Sequence, residues 1–316
     1  MTFYPSFKGG FKGALMSQNP YIVGEEEKYF FDLRGYLIFR NVLSQAQIDA
    51  CNKAIDANAD KIVAPRGQGN LTRGAAALEG KRGRHEMWEL IGLPSPHREP
   101  FRELLVHPLV VSRLNEFSGK SFRLDHGPAL IESIEGDEGH WLHASGEPFN
   151  PAVSYHQQNG KIYARGITVA WQLTDVEAGD GGFACVPGSH KTAEPTPSDL
   201  REMVDDMGLV YQPEMKAGDV LFFCETMTHG TLPWKGKGKR RSILYKYASR
   251  AANRAVGKHF TPQERYGDWV NELTPAQQAV LYGPGMHQGE KSVVMPTLQS
   301  DGETVTVTEG PLKLFG

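Results

Sequence analysis

The second half of the sequence alternates short apolar runs with turn-forming segments, and this alternation constrains the fold most. The apolar runs lie at residues 129–131, 167–173, 183–186, 220–223 and 243–247. Between them stand GDGG, PGSH, KAGD and GKGK, which combine glycine with polar residues that favour turns. Many short strands at such spacing are typical of a sandwich, barrel or jelly roll. We therefore predict a mainly β core over about residues 121–250.

Helical patterns precede this core. Ser44 and Gln47 form a capping-box pattern, which marks the start of a helix. The apolar residues that follow at helical spacing should face a core; they are Ile48, Cys51, Ile55, Ala59 and Ile62. A second helical stretch spans Phe101 to Phe117, and Pro108 should divide it in two.

These patterns predict one catalytic domain from residue 25 to residue 316, after an irregular N-terminal arm at residues 1–24. Helical support occupies about residues 25–120, the β core follows, and a C-terminal extension occupies about residues 251–316. The extension contains one helical pattern, TPAQQAVLYG, and otherwise looks irregular.

Composition excludes several classes of protein. The formal net charge of −3 argues against nucleic acid as a partner. No apolar run approaches the length of a membrane span, and the N-terminus lacks a secretory pattern. The cysteines Cys51, Cys185 and Cys224 are an odd number without a CxxC pair, which indicates reduced thiols. We therefore expect a cytoplasmic protein without nucleic acid or membrane as a partner.

Candidate chemistry lies in the segment GDVLFFCETMTHGTLPWKGKGKRRSILYKY. The predicted strand at residues 220–223 leads to His229, and Arg240 precedes the next strand as part of an Arg-x-Ser element that ends at Ser242. A neutral histidine at a strand end can bind a divalent metal. An arginine on the neighbouring strand offers a planar fork for a carboxylate. This order favours a metal beside a dicarboxylate over a surface histidine and a solvated basic turn.

The sequence resembles the phytanoyl-CoA dioxygenase family from about Phe30 to Gly285. The family's opening strand and helix resemble GYLIFRNVLSQAQIDACNKAID, and its most recognisable block resembles VAWQLTDVEAGDGGFACVPGSHK. Its distal-histidine block resembles AGDVLFFCETMTHGT, and its C-terminal tail resembles ELTPAQQAVLYGPG. The resemblance implies a double-stranded β-helix, which is a cupin-like jelly roll. It also implies Fe(II) held by an HxD/E…H triad, with 2-oxoglutarate and O₂ as co-substrates.

The family's motifs assign roles to individual residues of this sequence. His229 matches the distal metal histidine. Arg240, with Ser242, matches the element that pairs with the far carboxylate of 2-oxoglutarate. His190 in PGSH is expected to lie in a structural turn. Two histidines and one carboxylate on one face would leave coordination positions for the co-substrates.

The first half of the triad departs from the family's pattern. His143 follows a predicted strand, as the family's HxD motif does, but Ser145 stands at the acid's position. His156 is the alternative, with Gln158 at that position, and His140 is a third candidate. We favour His143, because the stretch YHQQNGKIYARG resembles the loop that follows the motif in related hydroxylases.

Three explanations of the missing carboxylate stay open. Glu147 or Glu225 supplies it from a nearby position, unless these are ordinary exposed or capping glutamates. Alternatively, a halide or water fills the open corner, as in related halogenases in which a small residue replaces the acid. In the third case, metal binding has been lost.

The resemblance implies hydroxylation of an unactivated C–H bond of a small molecule, with release of succinate and CO₂. The alternatives are halogenase-like oxidation on the same scaffold and a non-catalytic β-helix that binds a small acid or a partner protein. Trp171, Phe222 and Tyr245 are expected to pack in the core rather than line the pocket. The arginines of APRGQGNLTRG and EGKRGRHEMW are expected in solvated loops rather than in a substrate lid.

Overall fold

The computed structural model describes residues 22–145, 147, 149–151, 153–252, 261–284, 297–301 and 304–308. The predicted arm at residues 1–24 lies almost wholly outside the described residues, and so does much of the predicted extension. Within the described ranges, no helix is long and apolar enough to cross a membrane.

Two antiparallel sheets form the body of the protein. The strands are β1 (Tyr36–Phe39), β2 (His85–Met87), β3 (Phe122–Ser133), β4 (His140–His143), β5 (Tyr155–Gln158), β6 (Lys161–Ala164), β7 (Gly166–Gln172), β8 (Gly182–Cys185), β9 (Val220–Cys224), β10 (His229–Leu232), β11 (Arg240–Ser249), β12 (Thr297–Ser300) and β13 (Val305–Thr308). The larger sheet has the order β1-β9-β7-β11-β3-β2, and the smaller sheet has the order β4-β10-β8. This arrangement confirms the predicted mainly β, jelly-roll core.

The helices pack against the two sheets. They are α1 (Glu25–Arg34), α2 (Gln45–Asp56), α3 (Glu99–Leu104), α4 (Pro108–Phe117), α5 (Ser198–Arg201), α6 (Pro262–Tyr266) and α7 (Pro275–Ala279). Phe31 of α1, Phe101 of α3 and Leu114 of α4 join the core that also contains residues of β7 and β9. Pro108 divides the predicted second helix as expected, since proline is tolerated only in the first turn.

Helix α2 has the predicted capping box but ends earlier than the sequence pattern predicts. Ser44 Oγ accepts a hydrogen bond from the backbone N–H of Gln47, and the Gln47 side chain accepts one from the backbone N–H of Ser44. The prediction that Ala59 faces the core is wrong, because the helix stops at Asp56 and Ala59 is exposed, whereas Ile62 does pack against the core although it lies beyond the helix. The side-chain amide of Asn58 donates to the carbonyl of Ala54 at 2.9 Å and so competes with the helical backbone hydrogen bond.

The C-terminal extension contains more structure than predicted. The predicted helix is confirmed as α7, with a capping box between Thr274 and Gln277. The expectation of irregular structure elsewhere is wrong, since α6 precedes α7 and strands β12 and β13 pair as a hairpin. Val305 and Val307 pack against the core, and the alternation of valine and threonine in β13 is the signal for this strand.

Side-chain alternation along the central strands β7, β9 and β11 separates the core from a cavity. Trp171, Phe222 and Tyr245 are fully buried in the apolar core, as predicted. Their sequence neighbours point to the opposite face and line the cavity; these are Ala170, Leu221, Phe223 and Leu244. Period-two geometry therefore places one wall of the cavity on the larger sheet.

Candidate active site

Strands β4 and β10 bring His143 and His229 together. The strands pair antiparallel with His143 opposite His229, and the centroids of the two imidazole rings are 4.5 Å apart. His140 adds a third imidazole, whose centroid is 4.5 Å from that of His143. All three rings line one cavity of about 460 Å³, whose walls come from both sheets.

Hydrogen bonds fix which ring nitrogen of His143 and of His229 keeps its lone pair. Nδ1 of His143 lies 3.0 Å from the carbonyl oxygen of Trp141, and Nδ1 of His229 lies 2.6 Å from the carbonyl oxygen of Met227. A carbonyl only accepts, so each Nδ1 carries the hydrogen and each Nε2 keeps its lone pair. Burial lowers the pKa of His229 to about 3 and also lowers the pKa of His143. Two neutral imidazoles with free Nε2 atoms suit a divalent metal.

The PGSH turn supports the start of β10. Ser189 Oγ accepts a hydrogen bond from the backbone N–H of Thr228 at 2.7 Å. The buried ring of His190 bonds through Nε2 to the carbonyl oxygen of Asp32 at 3.0 Å and lies outside the cavity wall. The turn is therefore structural, as predicted, and it fixes the residue that precedes His229.

The residue two positions after His143 contacts a buried glutamate. The backbone N–H of Ser145 donates to the carbonyl oxygen of Glu225 at 2.8 Å, and Ser145 Oγ donates to Glu225 Oε2 at 3.2 Å. Glu225 has no exposed surface; its carboxylate also accepts from Thr168 and pairs with Lys246 Nζ at 3.2 Å. The Glu225 charge opposes the burial-driven fall in pKa of both His143 and His229, so this carboxylate acts on both rings.

Glu147 and His156, the other candidates, have different surroundings. Glu147 lines the cavity, but it pairs with Arg201 and accepts two hydrogen bonds from Thr196, each 3.1 Å long. His156 lies exposed on β5, away from the cavity. No group of three His, Cys, Asp or Glu side chains within the described ranges is arranged to hold a metal. Of the two glutamates, Glu225 is the one whose charge acts on the imidazoles.

Arg240 begins β11 and lines the same cavity. Its Nε and Nη1 atoms are buried and have no hydrogen-bond partner in the described part of the chain. Burial, with a smaller effect from the charge of Arg84, lowers the pKa of Arg240 to about 10. Gly182 of the GDGG turn makes room for the guanidinium, since a Cβ there would lie 2.7 Å from Nε. A buried cation with open donors fits a ligand carboxylate, and Ser242 lies on the same wall.

The segment from residue 66 to residue 84, here the arginine loop, forms another wall of the cavity. Arg66, Arg73 and Arg82 are exposed to solvent as predicted, but Arg66, Arg73 and the partly buried Arg84 also line the cavity, which was not expected. Backbone hydrogen bonds from Trp141 N to Leu71 O, 3.0 Å, and from Gly139 N to Leu78 O, 2.8 Å, attach the loop to the region of β4. The buried leucines within this glycine-rich segment are the sequence signal of an ordered loop.

Comparisons with known proteins identify the family and the fold of this chain. Residues 31–242 match the phytanoyl-CoA dioxygenase (PhyH) family. HygX from Streptomyces hygroscopicus, solved with nickel and 2-oxoglutarate, is 19% identical with a TM-score of 0.58, over 72% of this chain and 87% of that chain. The α-ketoglutarate-dependent carbocyclase SnoK from nogalamycin biosynthesis is 17% identical with a TM-score of 0.54, over 85% and 96% of the two chains.

A third related structure is EctD from S. alaskensis, solved with 2-oxoglutarate and 5-hydroxyectoine. It is 18% identical with a TM-score of 0.53, over 76% of this chain and 82% of that chain. No curated protein matches the sequence. The solved structures share the fold of this chain, and the family match spans more than half of its length, including both histidine-bearing strands and Arg240. The chain therefore belongs to the phytanoyl-CoA dioxygenase family, as its motifs predicted, and is a dioxygenase-type enzyme.

Proposed function

We propose that this protein is an Fe(II)- and 2-oxoglutarate-dependent oxygenase that hydroxylates an unactivated C–H bond of a small molecule. The observation that carries the proposal is the unpartnered guanidinium of Arg240 in the same cavity as His143 and His229. A buried cation without a partner is costly, and a dicarboxylate bound there would compensate it. The related structures that contain iron or 2-oxoglutarate support the choice of cofactor and co-substrate.

In this proposal, His143 and His229 hold the iron through Nε2, and Arg240 binds the far carboxylate of 2-oxoglutarate. Ser242 lies beside Arg240 and contributes to the co-substrate pocket. When bound, the iron and 2-oxoglutarate supply the oxidising chemistry: O₂ and 2-oxoglutarate are converted to succinate and CO₂, and one oxygen atom enters the substrate C–H bond. The protein orients both reactants, and the apolar side chains of the larger sheet limit the access of water.

The proposed ligands His143 and His229 leave the third protein position of the triad without an acid, because Ser145 stands there. Glu225 already binds Ser145, Thr168 and Lys246, so we propose that it balances charge near the iron rather than ligating it directly. A water molecule would then occupy the coordination position that an acid occupies elsewhere in the family. Ser145 at this corner also supports a second candidate, halogenation, in which chloride binds there. Chlorinated product that forms only when chloride is present would favour this second candidate over hydroxylation.

A small-molecule substrate is supported by related structures that contain hygromycin B, nogalamycin RO and 5-hydroxyectoine. A cytoplasmic location is supported by the cysteines, which are all buried as free thiols, since reducing compartments preserve thiols.

Equilibrium dialysis of metal-free protein against Fe(II), with and without 2-oxoglutarate, tests the proposed ligands. We expect one iron per chain in the wild type and loss of binding in His143→Ala and His229→Ala. The matched control is His156→Ala, which removes an exposed imidazole away from the cavity and should bind iron as the wild type does. Iron binding that survives both cavity variants would refute the assignment of the ligands.

A further inference from the structure

The cavity that holds the candidate active site is strongly basic although the protein as a whole carries a formal net charge of −3. Its cationic lining residues are Arg66, Arg73, Arg84, Arg201, Arg240 and Lys246. Among the described lining residues, Glu147 is the one acid. Because like charges repel, such a concentration needs either internal carboxylates or a bound anion to offset it.

Internal carboxylates offset three of these cations. Arg84 pairs with the buried Glu86, Arg201 pairs with Glu147, and Lys246 pairs with Glu225. Arg240 is assigned above to 2-oxoglutarate. Two further cavity cations, Arg66 and Arg73, are exposed to solvent and so remain accessible to a ligand anion.

Arg66 and Arg73 are the remaining cations, and neither forms an ion pair with a carboxylate of the described residues. The guanidinium of Arg73 lies over the indole of Trp141, 4.1 Å from the ring centroid, and a flat aromatic surface holds such a group without neutralising it. Both arginines belong to the arginine loop, which its backbone hydrogen bonds attach to the region of β4. Their charge is therefore kept at the cavity by an ordered segment.

Aromatic side chains line the same part of the cavity. Trp141 and Trp88 are both lining residues, and Trp88 is 44% exposed. Trp88 Nε1 donates to Glu86 Oε2 at 2.8 Å, and the other oxygen of this carboxylate accepts from Arg84 Nε at 3.0 Å. This network fixes the edge of Trp88 while its ring face stays available for contact with an apolar ligand body.

We propose that the substrate is a small organic anion whose carboxylate or phosphate group is bound by Arg66 and Arg73, with its apolar part against the exposed ring face of Trp88. This inference rests on the proposed function, because it assigns the substrate class of that same site. Guanidinium forks bind carboxylate and phosphate oxygens in the same bidentate geometry, so the two anions share one recognition chemistry. The substrate anion then binds to Arg66 and Arg73, and 2-oxoglutarate binds to Arg240 in the same cavity.

Calorimetric titration at saturating Fe(II) and 2-oxoglutarate, without oxygen, tests this assignment. The probes are phenyl phosphate, benzoate and the neutral control benzyl alcohol. We expect at least one anion to bind while benzyl alcohol does not, and the better anion identifies the group that the substrate carries. The double variant Arg66→Gln/Arg73→Gln should weaken anion binding by about tenfold or more, since charged hydrogen bonds are lost.

The matched control is Lys235→Gln/Lys237→Gln, which removes two exposed charges outside the cavity lining. This control should bind the anion as the wild type does, and both double variants should keep wild-type affinity for 2-oxoglutarate. Equal binding of benzyl alcohol, undiminished anion binding by the arginine variant, or binding of neither anion would overturn the assignment. Anion binding that persists while Fe(II) and 2-oxoglutarate fail to bind would instead contradict the proposed function and leave the basic subsite supported.

Discussion

Ser145, two residues after His143, donates a hydrogen bond from Oγ to Oε2 of the buried Glu225 at 3.2 Å. The family's HxD/E motif has an acid at the position of Ser145. In this chain the Ser145 hydroxyl stands there instead and contacts the carboxylate of Glu225. Glu225 in turn is compensated by Lys246, whose Nζ lies 3.2 Å from Oε1. The negative charge nearest Ser145 therefore lies in a buried ion pair.

The replacement Ser145→Asp should tighten iron binding and lower the stability of the metal-free protein. An aspartate at this corner adds a third ligand, for which we expect about a tenfold or larger gain in Fe(II) affinity. Without metal, its charge lies beside Glu225, and repulsion should lower the free energy of unfolding by about 1–3 kcal/mol. Equilibrium dialysis and urea unfolding measure the two effects, with Ser145→Asn as the uncharged control of similar size. Unchanged iron affinity would show that the third position is already filled by a protein ligand.

Replacement Lys246→Met should destabilise the protein by leaving Glu225 buried without its cation. Removing one partner of a buried pair costs several kcal/mol; because the Lys246 side chain is 21% exposed, we expect about 2–3 kcal/mol. Lys246→Arg keeps the charge and should retain most of the stability. Urea unfolding of the metal-free proteins checks this, and a Lys246→Met variant as stable as the wild type would contradict the ion pair.

Replacement Arg240→Gln should weaken 2-oxoglutarate binding while leaving the ligand-free protein as stable as before, or more stable. The variant loses charged hydrogen bonds to the co-substrate, for which we expect about a 10- to 100-fold fall in affinity. It also removes a buried guanidinium that lacks a partner among the described residues, so no native ion pair is lost. Calorimetry and thermal unfolding separate the two effects. A destabilised variant with intact 2-oxoglutarate affinity would show that Arg240 has a structural role instead.

Replacement Phe222→Ala should cost stability without changing the site. Phe222 is fully buried on the core face of β9, so its truncation should lower the free energy of unfolding by about 3–5 kcal/mol. Its neighbour Phe223 faces the cavity, with its ring centroid 4.8 Å from that of His229. Phe223→Ala should therefore also weaken Fe(II) and 2-oxoglutarate binding, which dialysis of both variants measures. Equal ligand effects from the two variants would contradict the assignment of the two faces.

Local sequence signals predicted the central strands β3, β7, β8, β9 and β11 and placed His229 and Arg240 at strand ends, because apolar runs and turns are encoded by neighbouring residues. The position of the arginine loop at the cavity was not predicted, since it depends on the hydrogen bonds of Leu71 and Leu78 to the region of β4, far along the chain. The surroundings of Ser145 were also hidden, because Glu225 reaches it from the segment between β9 and β10. Contacts between residues that are far apart in the sequence produce no local periodicity, so a sequence pattern cannot reveal them.

The most direct test of the proposed chemistry is an anaerobic titration of metal-free protein with Fe(II) and 2-oxoglutarate. The readout is the weak visible charge-transfer band of the chelate. The account predicts a saturable band at one equivalent of iron, which is lost in His229→Ala and needs more 2-oxoglutarate in Arg240→Gln. The absence of a band from the wild type at saturating iron and 2-oxoglutarate would contradict the account and favour a binding protein on the same scaffold.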